Sequence, residues 1–156
     1  MRLNRLFISG LAAAAIATTS AFAAGHSTGN KAVDARQAHM QLYAFNLGQL
    51  GAMAKGAMDY NAELATALAS DLAALSSMSQ AAYWPEGTSV DDVEGSRALA
   101  AGWEDSENAM KLAGGLAEAA AAMAEAAGTL EGLQGAMGAV GGACGACHKA
   151  TRAPAN

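Results

Sequence analysis

Apolar residues recur in this chain at intervals of three and four positions, the spacing of a helix that buries one face. The pattern predicts a first helix that ends near Gly56 and a second that follows Asn61, a residue type that caps helices well. The inward positions are Val33, Arg36, Met40, Tyr43, Leu47, Leu50 and Ala54 in the first helix, and Leu64, Leu68, Leu72, Leu75 and Met78 in the second. Two amphipathic helices are therefore expected before the middle of the chain.

The same spacing returns after a connecting segment, Tyr83 to Gly95, whose turn-forming residues are typical of a surface crossover. We expect a third helix from about Ser96 to Ala127 and a fourth from near Thr129. Their inward positions are Leu99, Trp103, Met110, Ala113 and Leu116, then Leu130, Leu133, Met137, Val140, Cys144 and Cys147. The sequence thus predicts an all-α, antiparallel four-helix bundle, with an irregular array of Ala-rich helices as the alternative.

Composition narrows the fold class further. The 156 residues include 43 Ala and 18 Gly but only four Val and two Ile. Sheets pack β-branched and aromatic side chains, whereas Ala, Leu and Met favour helices. A sandwich, a barrel or a Rossmann unit is therefore excluded, and the length predicts one domain.

The first 23 residues have the pattern of a secretory signal peptide. Arg2 and Arg5 precede a short apolar run, and Ala21-Phe22-Ala23 is typical of a cleavage site. The apolar run is shorter than the roughly 20 residues needed to span a bilayer, which disfavours a retained anchor. We expect a cleaved leader over 1–23 and a mature domain over 24–156, exported to the periplasm with no integral membrane segment.

Loss of the leader makes the chain more acidic. Two of the nine basic residues and none of the fourteen acidic ones lie in it, so seven basic and fourteen acidic residues remain, a net charge of −7. Nucleic-acid binding needs a basic surface that displaces counterions. The charge therefore argues against nucleic acid as a partner.

The only two cysteines lie in a C-x-x-C-H motif, from Cys144 to His148. Two thiols three residues apart share a helix face and can each add to a vinyl group of haem, while the adjacent imidazole binds the iron. A dithiol oxidoreductase needs a βαβ context, and a structural zinc site needs four ligands. A disulfide across two residues is strained in a helix. The motif therefore predicts one covalently attached haem c with His148 as an iron ligand.

A second axial ligand has to come from upstream, because only eight residues follow His148. Met40 is the candidate, since it lies on the first helix's inward stripe and a thioether can bind haem iron; its other interpretation is core filler. His39 is a second possible ligand but lies off the stripe. Arg36, one turn before Met40, is expected to pair with a haem propionate, unless its side chain extends into water.

With these residues, the chain resembles the class II cytochromes c, which comprise cytochrome c′ and its low-spin relatives. The resemblance covers nearly the whole mature chain. It rests on the C-terminal motif with Arg152 four residues after His148, on Arg36-Gln37 followed by Met40, on the Leu50–Gly56 segment and on Trp103. It departs from the family in the number of glycines in the fourth helix.

The resemblance implies His148 as proximal ligand and Cys144 and Cys147 as thioether anchors. It places Arg36 and Gln37 on the propionate side of the haem and Arg152 beside the proximal histidine. Cytochromes c′ carry an apolar, non-ligating residue at the position of Met40, whereas the low-spin relatives carry a ligating Met. Homodimers through the first two helices are also implied.

The resulting hypothesis is a periplasmic single-electron carrier rather than an enzyme. It would bind iron through His148 and Met40 and exchange electrons with redox proteins. The alternative is a five-coordinate cytochrome c′ in which Met40 only lines the distal side and the iron binds nitric oxide or carbon monoxide.

Overall fold

Four long helices make up most of residues 27–154, the part of the chain described by a computed structural model. They are α1 (Lys31–Ala54), α2 (Ala62–Ser77), α4 (Ser106–Ala126) and α5 (Leu130–Thr151). A 3₁₀ turn (Ala81–Tyr83) and a one-turn helix, α3 (Ala101–Glu104), lie between α2 and α4. The predicted all-α antiparallel four-helix bundle is confirmed. The predicted leader, residues 1–23, lies outside the described residues.

Side-chain caps fix where three of the long helices begin. The Asn30 side chain accepts hydrogen bonds from the Ala32 and Val33 amides at the start of α1. Asn61, the predicted cap, accepts one from the Leu64 amide, and Thr129 caps α5 in the same way. Each cap satisfies amides that have no partner within the helix. The helix starts are therefore encoded locally, as expected.

The core lies between all four long helices. Its fully buried large side chains include Leu50 and Met53 of α1, Met123 of α4, and Leu133 and Val140 of α5. Alanines fill much of the remaining interface, and Ala65, Ala69, Ala120 and Ala127 are all buried. Small residues let helix backbones approach closely, so bulky core residues are few. At the ends of the predicted stripes, Leu64, Met78 and Leu130 are exposed.

The predicted third helix is wrong at its start, because residues 96–100 are not helical and the helix is interrupted at Asp105. Residues 97–99 are not helical; they pair with the end of α5 through hydrogen bonds from the Leu99 amide to the Thr151 carbonyl (2.9 Å) and from the Ala153 amide to the Arg97 carbonyl (2.8 Å). The chain then makes the single turn α3 before Asp105 interrupts it at φ −124°, ψ 62°. A long-range backbone pairing has replaced the local helix.

The interruption at Asp105 also changes which side of α4 faces the core. The Asp105 side chain accepts a hydrogen bond from the Asn108 amide, so α4 starts anew with its own cap. Met110 and Ala113, both expected inward, are exposed instead, and Met110 is 69 % exposed. Ala120 and Met123 occupy the buried side of this helix. A single periodic stripe across residues 96–127 therefore cannot describe this segment.

Within the described residues, no helix is both long enough and apolar enough to cross a membrane.

Two glycines of α5 provide a test of the packing at its start. A Cβ at Gly132 would lie 2.2 Å from the Ala126 carbonyl oxygen, whereas one at Gly135 would meet nothing within 4 Å. We expect Gly132→Ala to lower the free energy of unfolding by about 1–3 kcal/mol through overpacking. Gly135→Ala should raise it by roughly 0.8–1 kcal/mol through helix propensity. Denaturant unfolding of both variants checks this, and effects of the same sign would contradict the described packing.

Candidate functional site

The C-x-x-C-H residues occupy the last two turns of α5. Cys144, Cys147 and His148 are all partly buried, and both thiols are free. Residues three and four apart on a helix are neighbours, so the two thiols and the imidazole are presented together. No cluster of three or more His, Cys, Asp or Glu suited to a bare metal ion occurs in residues 27–154. This donor set fits a haem, in which the macrocycle supplies the remaining ligands.

The surroundings of Cys144 and His148 favour the uncharged form of each. Burial raises the pKa of the Cys144 thiol, and the neighbouring Cys147 raises it further. Burial lowers the pKa of His148, and the positive charges of Arg152 and Arg97 lower it further. A neutral imidazole is the form that binds a metal. The site therefore holds His148 in its ligating protonation state.

An open groove of about 550 Å³ runs between α1 and α5. It is lined by Ala44, Leu47, Gly48, Gly51, Ala52 and Lys55 on α1 and by Met137 on α5. Gln134 donates to the Ala54 carbonyl (2.8 Å), which places the end of α1 beside the start of α5. The two helices are thus antiparallel, and the beginning of α1 lies near the C-x-x-C-H end of α5.

Both walls of the groove continue towards that end. On α5, Met137, Gly141, Gly145 and His148 follow one another at four, four and three residues, so they share one side of the helix. A Cβ at Gly141 or Gly145 would meet no atom within 4 Å. On α1, Met40 lies four residues before Ala44 on the same side. The glycines leave room beside His148 for a flat macrocycle, so the residues present fit a haem.

Met40 and His39 point to different sides of α1. Met40 is 37 % exposed and lies at the groove side rather than in the core, where the periodic pattern had placed it. His39 is 4 % exposed and packs against the rings of Tyr43 (4.9 Å between centroids) and Tyr83 (5.8 Å). Its Nε2 is buried without a hydrogen-bond partner among the described residues. The buried stripe of α1 is therefore centred nearer His39 than expected.

Tyr43 joins this part of α1 to the thiols. Burial raises the pKa of Tyr43 to about 12, and Cys144 adds to the shift, while a hydrogen bond with Gln80 opposes it. The phenol is therefore neutral and belongs to the same core cluster as Cys144. The first cysteine thus faces the interior of the bundle.

Arg36 is buried, and its hydrogen bonds tie α1 to the crossover. Nη1 donates to the Thr88 hydroxyl (2.9 Å) and the Tyr83 carbonyl (3.2 Å). Nη2 donates to the Ser96 hydroxyl (2.8 Å) and to the Thr88 carbonyl. All four acceptors are neutral oxygens, so these contacts leave the charge of the guanidinium unneutralised.

Two tryptophans complete the surroundings of Arg36. The guanidinium carbon lies 4.8 Å from the Trp84 ring centroid and 5.8 Å from that of Trp103, distances at which cation–π attraction operates. Trp103 Nε1 donates to the Trp84 carbonyl (2.9 Å) and joins the two. Thr88, Ser96 and Trp84 were not predicted from the sequence as partners of Arg36. The one available signal was the inward arginine itself, because a buried guanidinium needs partners.

The remaining predicted site residues lie at the edge of this region. Gln37 is partly exposed and donates to the Gly95 carbonyl (2.8 Å). Arg152 follows α5 directly and is exposed, and its charge acts on His148. Arg97, which also acts on His148, carries no signal in the sequence, because its position depends on the pairing with Ala153.

Comparisons of sequence with known proteins agree with the motif. A family model described as Cytochrome C′ matches residues 31–152. The chain is 40 % identical over 126 residues to cytochrome c′ of Cereibacter sphaeroides, and the alignment covers 81 % of each chain. It is 44 % identical over 97 residues to cytochrome c-554 of the same species, over 62 % of this chain and 63 % of that protein.

Solved structures share the fold. The structure of cytochrome c′ from Rhodobacter sphaeroides superimposes with a TM-score of 0.79 at 39 % identity and covers 83 % of this chain and 100 % of that one. A cytochrome c′ with ligand-controlled dimer dissociation gives 0.73 at 31 % identity, over 84 % and 100 %. A nitric oxide complex of a cytochrome c prime variant from Alcaligenes xylosoxidans gives 0.68 at 30 % identity, over 79 % and 94 %.

The contacts of Arg36 predict a large stabilising role. Arg36→Lys loses the forked donors and most of the contact with the indole rings, and we expect the free energy of unfolding to fall by about 2–4 kcal/mol. Gln37→Ala, which removes one hydrogen bond at the surface, should cost less than about 1 kcal/mol. Denaturant titration of the two variants measures the difference, and equal losses would show that the buried contacts are not what stabilises the crossover.

Proposed function

Because this chain belongs to the cytochrome c′ family of haem proteins, we propose that it carries single electrons through one covalently bound haem c. The observation that carries the proposal is the presentation of Cys144, Cys147 and His148 together in the last two turns of α5, on a helix where Gly141 and Gly145 leave open space. Bound there, a haem supplies the Fe(III)/Fe(II) couple. The chain's own residues hold, orient and tune that group.

Each residue of the motif has a separate task. Cys144 and Cys147 would hold the haem as thioethers, each with its sulfur on one carbon of a former vinyl group and its thiol proton on the other. His148 binds the iron through its neutral imidazole, which burial and the two nearby arginines favour. Arg36, whose charge is not neutralised by its neutral partners, attracts the propionates. Gln37 and Arg152 lie at the rim of the same site.

We propose that Met40 would supply the second protein ligand to the iron. Its side chain is exposed rather than buried in the core, and its helix lies antiparallel to α5, so it is at the same end of the bundle as His148. Thioether ligation raises the reduction potential of a His-ligated haem. Two protein ligands also leave no open position on the iron, which suits electron transfer better than binding of small molecules.

One observation favours the second candidate, a five-coordinate haem that binds nitric oxide or carbon monoxide. Met40 is 37 % exposed, so its side chain is not fixed by core packing. The relative solved as a nitric oxide complex shares this fold. In that case Met40 lines the distal side and the chain senses or carries a gas.

The charge distribution indicates the kind of redox partner. Seven of the fourteen acidic residues lie between positions 86 and 107, namely Glu86, Asp91, Asp92, Glu94, Glu104, Asp105 and Glu107. This segment includes residues 97–99, which pair with the end of α5, so the negative charge lies at the haem end of the bundle. We infer a basic docking face on the electron-transfer partner.

A second copy of the chain is a further proposed partner. Leu42 and Phe45 lie on the outer side of α1 and are 51 % and 64 % exposed. The solved cytochrome c′ described by its ligand-controlled dimer dissociation is a relative with the same fold. A homodimer through α1 and α2 would cover these two side chains.

With a leader over residues 1–23, we propose that the protein acts in the periplasm.

The absorption spectrum of the haem protein decides between the two candidates. We expect a low-spin spectrum with a weak near-infrared sulfur-to-iron band. In Met40→Ala this band should disappear and the haem should become high-spin. Met110→Ala, which removes an exposed methionine of α4, is the matched control and should leave the band in place. A wild-type spectrum that is high-spin and unchanged in Met40→Ala would reject ligation by Met40 and support the five-coordinate candidate.

The acidic haem end predicts how electron exchange responds to salt. Reduction of hexaammineruthenium(III), a cation, should slow as ionic strength rises, because screening removes its attraction to the protein. Reduction of ferricyanide, an anion, should accelerate for the opposite reason. Stopped-flow rates across a salt series measure both. Identical responses to salt for the two reagents would contradict a charged exchange surface.

A further inference from the structure

A short backbone clip holds the end of α5 against the crossover. The Leu99 amide donates to the Thr151 carbonyl (2.9 Å), and the Ala153 amide donates to the Arg97 carbonyl (2.8 Å). The Arg97 side chain closes the clip, since its Nη2 donates to the Ala153 carbonyl (2.7 Å). Thr151 is only three residues beyond His148. The clip therefore fixes the helix turn that presents the iron ligand.

Arg97 also brings charge to this place. Its side chain is partly buried, and its Nε is fully buried without a hydrogen-bond partner among the described residues. Its one side-chain hydrogen bond within residues 27–154 goes to a neutral carbonyl, which leaves the positive charge unneutralised by that contact. Ala153 lies five residues beyond His148, so this hydrogen bond places the charge at the end of α5 that carries the imidazole.

We propose that Arg97 is a positioning residue of the haem site, which locks the last turn of α5 through Ala153 and adds a fixed positive charge beside His148. The inference rests on the proposed haem function. A positive charge stabilises the iron state of lower charge, so Arg97 favours Fe(II) over Fe(III).

Three variants separate charge from structure. Arg97→Gln removes the charge but keeps a side-chain amide that can donate a hydrogen bond towards the Ala153 carbonyl. Arg97→Lys keeps the charge on a different donor. Lys55→Gln is the matched control, because it removes one positive charge at the other end of the bundle. Residue 55 lies beside Gln134, fourteen residues before His148, or about 20 Å along α5 at 1.5 Å per residue.

The measurement is the midpoint potential of the purified haem proteins by spectroelectrochemistry, at low and at high salt. For Arg97→Gln we expect a shift to lower potential, equivalent to a roughly three- to tenfold smaller ratio of reduced to oxidised protein at a fixed applied potential. The shift should be smaller at high salt. Arg97→Lys should stay close to wild type, and Lys55→Gln should shift far less than Arg97→Gln.

Two results would overturn the proposal. One is an Arg97→Gln shift no larger than that of Lys55→Gln; the other is an Arg97→Lys shift as large as that of Arg97→Gln. If Arg97→Gln yields no haem protein, the test rests on Arg97→Lys. A midpoint potential of Arg97→Lys far from that of wild type then rejects the role of the charge. A high-spin wild-type spectrum would overturn ligation by Met40 while leaving these comparisons valid, so the two failures are distinguishable.

Discussion

The buried guanidinium of Arg36 joins α1 to three residues of the following segment, Tyr83, Thr88 and Ser96. It takes the Thr88 and Ser96 hydroxyls and two crossover carbonyls as acceptors, and so fixes a segment with little regular structure against α1. Burying a charge is unfavourable unless its donors are satisfied. Once they are, the crossover has one position, because any other would leave those donors without partners.

The anchoring by Arg36 also affects the position of His148, because the crossover pairs with the end of α5 through backbone hydrogen bonds. Ser96, held by Arg36, directly precedes residues 97–99, and these pair with 151–153 at the end of α5. The position of His148 thus depends on α1 through the crossover as well as on the helix that carries it. Along the groove, few large side chains pack between α1 and α5, since Gly51 faces Met137 and the α5 glycines leave space. The crossover supplies the fixation that side-chain packing does not provide there.

Much of this arrangement is encoded locally and could be predicted. The caps Asn61 and Thr129, the stripes of α2 and α5 and the C-x-x-C-H face all follow from neighbouring residues. The error over Ser96–Ala127 has a different origin, because Ala98 and Leu99 satisfy a helical pattern yet pair with a segment more than fifty residues away. Periodicity also cannot centre a stripe to within one residue. It therefore placed Met40 in the core, whereas the bundle buries His39.

That one-residue difference determines what chemistry the site can support. A methionine packed in the core would be held by its neighbours, and its sulfur would have a fixed distance to the iron. On the exposed side of α1, a flexible thioether with more than a third of its surface exposed would be held in place only by a bond to the metal. Ligation then has to offset the loss of rotamer freedom, which for Met is up to about 1.5–2 kcal/mol. The balance between an electron carrier and a gas-binding haem therefore depends on the strength of the iron–sulfur bond, which the oxidation state of the iron and the charges around His148 control.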